Sequence, residues 1–190
     1  DYYGAFDQHG LIFGLGKRLE WPDDFFVLYQ SANMVRYSLV NYTGIFPFDE
    51  AGNGVYYNLS YGLTLSRSST DQPYYPRRGS EISVGVKLTP PYSLFNKKTA
   101  EEYSKMSSNE KYKWIEYHKW DIRAAWYQQL VGDLVVMVRA RYGFLGAYNT
   151  NLGVTPFERF FLGGDGMSSY SNFDGREIIG FRGYQNETLT

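Results

Sequence analysis

Little in this chain is equipped for covalent or acid–base chemistry. Its 190 residues include two histidines and no cysteine, which removes a thiol nucleophile, a thiolate metal site and a disulfide framework. His9 and His118 are expected at strand ends, and no Gly-x-Ser-x-Gly elbow accompanies them, so no hydroxyl nucleophile is paired with a base. Asp23-Asp24 and Glu101-Glu102 fall in turn-like and loop-like stretches and read as solvated charges. Asp165-Gly166 after Gly163-Gly164 looks superficially like a phosphate loop, but no lysine and no strand–helix context follow. The expectation is a protein that is not an enzyme, with no catalytic residue, no metal and no cofactor. Lys+Arg 19 against Asp+Glu 20 leaves a net charge of -1, which argues against nucleic acid as a partner; a small-molecule substrate is not expected either.

The chemistry that remains is that of guanidinium groups. Arg123, Arg139 and Arg141 fall at alternate positions of strand-like sequence. Near the end of the chain stands Phe181-Arg182-Gly183-Tyr184. Arg182 offers a planar, permanently charged fork of five donors. Gly183 permits a tight or positive-φ backbone beside it, and the flanking aromatics can pack such a loop against a wall. A buried guanidinium needs an acidic partner. On the residues alone, a solvated loop arginine is the plainer reading.

The elements that would position these groups are strands. Leu11, Phe13, Leu15 and Leu19 share one face of a segment over 10–19, opposite Gly10, Gly14 and Gly16. A second segment, 25–42, puts Phe25, Val27, Tyr29, Val35, Tyr37 and Leu39 on one face. The third, 55–66, is strictly alternating: Val55, Tyr57, Leu59, Tyr61, Leu63 and Leu65 against Tyr56, Asn58, Ser60, Gly62, Thr64 and Ser66. Segments at 82–89, 114–130 and 134–148 follow. In each segment the apolar face is expected to meet lipid. A helical turn or two is expected only over Ala100 to Met106.

Connections between these segments alternate short and long, and most segments are longer than the roughly 5–6 residues usual in globular proteins. Aromatics make up 19% of the chain while mean hydropathy is -0.43. That combination suits an antiparallel barrel in which only alternate residues meet lipid. Trp21, Phe25, Phe26, Tyr42, Trp114, Trp120 and Tyr148 would then form interfacial girdles. Six strands cannot enclose a polar lumen, so the chain is expected to be an excerpt of a longer polypeptide. The competing reading is a soluble carbohydrate-binding β-sandwich with exposed aromatics for sugar stacking.

Three motifs in order point further. Pro76, Gly79 and Ser80 form a Pro-x-x-Gly-Ser turn; Pro156, Phe157, Phe160, Gly163 and Gly164 close a strand; Phe181, Arg182, Gly183 and Tyr184 follow. The set resembles the BamA-like outer-membrane assembly factors of the POTRA-bearing β-barrel superfamily. The resemblance implies an all-β fold: about six strands from the middle of an antiparallel transmembrane barrel of about sixteen. Residues 1–150 would carry the strands, and 151–190 a strand end and the start of a long inward-folding loop. It also implies a multi-pass protein of the bacterial outer membrane, in contact with outer-membrane lipid, unfolded outer-membrane protein clients and accessory assembly lipoproteins. Arg182 would dock inside the barrel on acidic residues of strands beyond this chain. A relative that secretes or assembles polypeptides shares the same motifs.

Overall fold

The computed structural model describes residues 4–42, 52–96, 98–164, 175–181 and 183–184. Six strands form one antiparallel sheet in chain order: β1 (Ala5–Arg18), β2 (Phe26–Tyr42), β3 (Gly52–Ser68), β4 (Arg78–Leu88), β5 (His118–Val131) and β6 (Leu134–Gly146). The connections 19–25, 69–77 and Gly132-Asp133 lie at one edge of the sheet, and 43–51 and 89–117 at the other. The connection from β4 to β5 carries three short helices, α1 (Tyr92–Asn96), α2 (Ala100–Lys105) and α3 (Ser108–Lys111). Only the second was expected. Its Thr99/Glu102 capping box satisfies amides at its start. His9 lies within β1 rather than at a strand end, and β5 begins at His118 rather than near Trp114.

Register assigns the faces. Met34 opposes Leu11 and Leu59, Leu63 opposes Val86, Val86 opposes Trp120, and Trp120 opposes Phe144. Leu11, Phe13, Leu15, Met34, Leu59, Tyr61, Ile82, Trp120, Ile122, Trp126, Val138 and Tyr142 are all exposed on this one side. The other side carries Asn58, Ser60, Gly62 and Thr64 of β3, Ser83, Gly85 and Lys87 of β4, Asp121 and Arg123 of β5, and Arg141 and Gly143 of β6.

One assignment is corrected. The apolar residues of β2 lie on the polar side, because Asn33 and Ser31 of the same face pair with Ser60 and Gly62. Slipping the strand by one residue to expose them would bury its polar set in exchange. Their apolar surface is used locally. Tyr29 lies across β1, where a Cβ on Gly14 would come within 2.2 Å of its hydroxyl. Near the loop edge, Tyr37 and Leu39 are buried with Tyr56, Ile115, Tyr117 and Phe157. Tyr37 stacks on Phe157 at 4.9 Å between ring centroids. The buried core of the described residues therefore sits on the polar side, beneath the segment that follows β6.

Candidate loop-docking site

Beyond β6 the chain crosses the polar face and forms a small parallel pair, β7 (Phe160–Leu162) with β8 (Glu177–Ile179). The wall it lies on contains two unfavourable pairings. Lys87 and Lys119 are directly opposed across β4 and β5, and Arg123 and Arg141 across β5 and β6. Like charges opposed in a sheet repel. Both pairs are bridged by carboxylates of the crossing segment. Glu158 accepts from Lys87 Nζ at 2.6 Å, from Lys119 Nζ at 3.5 Å and from Asn58 Nδ2 at 3.2 Å. Glu177 accepts from Arg123 Nη2 at 2.6 Å and from Arg141 Nη2. Lys119 also lies 3.5 Å from Glu177. Asp121, on the wall itself, accepts from Arg123 and Arg141.

Burial gives these contacts weight. Glu158 is 5% exposed and Lys119 8%, so their charges are largely removed from water and depend on each other. The ammonium of Lys119 also lies 4.6 Å from the centre of the Phe160 ring. Arg176 is buried with its guanidinium 5.0 Å from the Phe161 ring centre. Beside the cluster is an open hollow of about 680 Å³, lined by Ser31, Asn33, Gly62, Ser83, Gly85 and Glu177 among others. Among the described residues no group of histidines and carboxylates is arranged to hold a metal ion. The arrangement is a clamp that fixes a crossing segment to a wall.

Of the expected motifs, the residues from Pro156 to Gly164 and the Phe181–Tyr184 turn lie in and around this clamp. Pro156 and Phe157 are buried, and Phe157 contacts Tyr37 and Tyr56. Phe160 covers Gly143, where a Cβ would come within 2.9 Å of its ring. Gly163 donates to the Ile179 carbonyl, Gly164 donates to that of Tyr184, and Phe181 donates back to Gly164. The Gly-Gly pair and the Phe181–Tyr184 turn are thus brought together. Phe181 stacks on Tyr184 at 5.0 Å, and Gly183 has φ +91. Arg182, like Asp165-Gly166, lies outside the described residues.

The turn motif sits at the opposite edge. Gly79 has φ +113, and a Cβ there would approach the Ser69 carbonyl oxygen to 2.3 Å. Ser80 meets Ser69 through backbone and hydroxyl contacts, and Asp71 accepts the amides of Arg77 and Arg78. Among the described residues Arg139 makes no ion pair, unlike Arg123 and Arg141. Glu158 and Glu177 escaped sequence reasoning. The available signal was the pair of inward-facing lysines on neighbouring strands, which demands an anion from elsewhere.

A family model described as the Omp85 superfamily domain matches residues 21–190. The chain belongs to the Omp85 superfamily. Proteins of this superfamily reside in the outer membrane and assemble or transport polypeptides. The match spans β2 to β8, so the wall and the segment clamped to it both lie within the Omp85 domain. No curated protein matches the chain.

Proposed function

We propose that this Omp85 chain is the central wall of a BamA-like barrel that folds and inserts client outer-membrane proteins. One observation carries the reading: the polar face bears two opposed cation pairs, each bridged by a carboxylate from the segment that crosses it. A wall with this charge pattern is built to hold a loop against its polar side. The opposite side exposes aliphatic and aromatic residues along all six strands, which suits lipid and would be costly in water. In a β-sandwich that apolar side would instead be packed against a second sheet.

On this reading the six strands span the membrane and the polar face lines a lumen. Residues 151–190 would form a strand end and the start of an inward-folding loop that carries Arg182, whose guanidinium would dock on acidic residues inside the barrel. The barrel's work would be mechanical: unpaired strand edges template incoming strands by β-augmentation, and folding of the client supplies the free energy. Outer-membrane lipid, unfolded barrel clients and accessory lipoproteins are the proposed partners.

The test uses the intact protein in its native cell. Depletion should lower the level of folded outer-membrane barrels, and Arg182→Ala should reproduce much of that loss. Normal barrel levels with retention of one secreted polypeptide would instead establish the related transporter reading.

A further inference from the structure

Between β4 and β5 the chain builds a small apolar foot whose position follows from hydrogen bonding. Beyond Leu88, β3 has no β4 partner, and residues 113–115 take that place: Tyr57 donates to the Lys113 carbonyl, and Ile115 donates to that of Tyr57. Alternation along this segment then divides its side chains. Ile115 and Tyr117 enter the buried core on the polar side. Trp114 stacks on Tyr57, a residue of the apolar side, at 5.1 Å, and Tyr92 packs on Trp114 at 5.3 Å. Glu116 binds the Ser93 amide at 2.7 Å and the Ser93 hydroxyl at 2.5 Å. These contacts fix α1 over the apolar side near the loop edge. From there Leu94 is 52% and Phe95 74% exposed, with Lys98 exposed just after.

The height of α1 can be set against the other edge of the apolar side. Arg67, ten residues beyond Tyr57 on the same face of β3 and next to its turn-side end, binds Asp23 through two nitrogens and lies against Phe25 and Phe26. A charged residue so held marks one boundary of an apolar belt, and the exposed Trp21 belongs to the adjoining turn. Ten residues at about 3.3 Å with a tilt of about 40° give a rise of roughly 25 Å, the height of the apolar band of an outer-membrane barrel. Tyr57, Trp114 and Tyr92 therefore stand at the opposite boundary, where aromatic side chains settle.

We propose that α1 is a membrane-interface anchor: Leu94 and Phe95 insert at the boundary between headgroups and acyl chains, and Lys98 faces lipid phosphates. The occupant is lipid because the foot is continuous with the apolar belt below it. The inference rests on the membrane-spanning reading above, and the experiment separates the two.

An environment-sensitive fluorophore would be attached to single cysteines replacing Phe95, Ile122 and Thr150 in the full-length protein. The protein would be reconstituted in phosphatidylcholine–phosphatidylglycerol vesicles, with and without brominated acyl chains. The Phe95 label should lose most of its emission to lipids brominated near the headgroup, and less to lipids brominated deep in the chain. The Ile122 label should show the reverse order, and the Thr150 label should respond only to an aqueous quencher. A Phe95 label that behaves like Thr150 while Ile122 responds to lipid overturns the anchor and leaves the barrel standing. An Ile122 label that responds only to the aqueous quencher overturns both.

Discussion

Lys87 and Lys119 face each other across adjacent strands, and Glu158, far along the chain, lies within hydrogen-bond reach of both. The carboxylate turns a repulsive cross-strand pair into an ion triad. It does so from a left-handed backbone position, φ +61, which is unfavourable for a residue with a Cβ. The segment after β6 therefore accepts local strain to deliver a charge to the wall.

Glu158→Gln keeps the shape of the side chain and removes its charge. Lys119 is then left buried beside Lys87 with one of its two neighbouring carboxylates gone, and the loss should be about 3 kcal/mol. Urea unfolding of the refolded barrel in detergent would measure it. Adding Lys87→Met should recover part of the loss, since it removes one of the two cations. If the double variant is as unstable as the sum of the singles, the triad account fails.

The same logic applies one strand further. Glu177 bridges Arg123 and Arg141, with Asp121 as a second acceptor for both. Because Asp121 remains, Glu177→Gln should cost less than Glu158→Gln, about 1–2 kcal/mol. Glu177→Gln should nevertheless release β8, seen as faster proteolysis between residues 163 and 181. Equal cleavage rates in the two proteins would contradict a role for Glu177 in holding the segment down.

These charges also show how far the sequence could be read. Strict alternation in 55–66 identifies β3 because every second residue is apolar, whatever its partner. The same alternation misplaces β2. Its apolar set on odd positions is interrupted by Ser31 and Asn33, and the face is decided by pairing with Ser60 and Gly62 and by Phe157 arriving from residues far away. Tyr37 and Tyr56 look lipid-facing or lumen-facing only according to what covers them. The Gly163-Gly164 and Phe181–Tyr184 motifs are visible in the sequence, but their hydrogen bonds are not. Trp114 reads as part of a strand, yet it makes a single parallel bridge to Tyr57, because the residues after it are spent on returning the chain to β5.

Gly79 carries a prediction independent of the cluster. Ala in its place meets two obstacles, a positive φ and a carbonyl oxygen inside contact distance. The expected loss is at least about 2 kcal/mol, read as a lower urea midpoint. Ser80→Ala removes only hydroxyl contacts to Ser69 and should cost under about 1 kcal/mol. If the two substitutions cost the same, backbone geometry is not what the motif preserves.

The turn between β1 and β2 should respond to acid. Hydrogen bonding from Arg67 holds the Asp23 carboxyl below its ordinary range, with a smaller contribution from the Phe25 amide, against the opposing effect of desolvation. A carboxyl whose folded pKa is depressed binds its proton more weakly folded than unfolded. Its contribution to stability is complete above the unfolded value of about 3.9 and is lost as pH falls through the lower folded value. Hydrogen exchange at the Phe25 amide should therefore stay protected, relative to the intrinsic rate, down to about pH 4 and lose that protection below it. In Asp23→Asn the step should vanish, leaving a uniformly weaker protection at every pH. An unchanged acid step in that variant would assign the titration to another group and remove Asp23 from the account of how the turn is held.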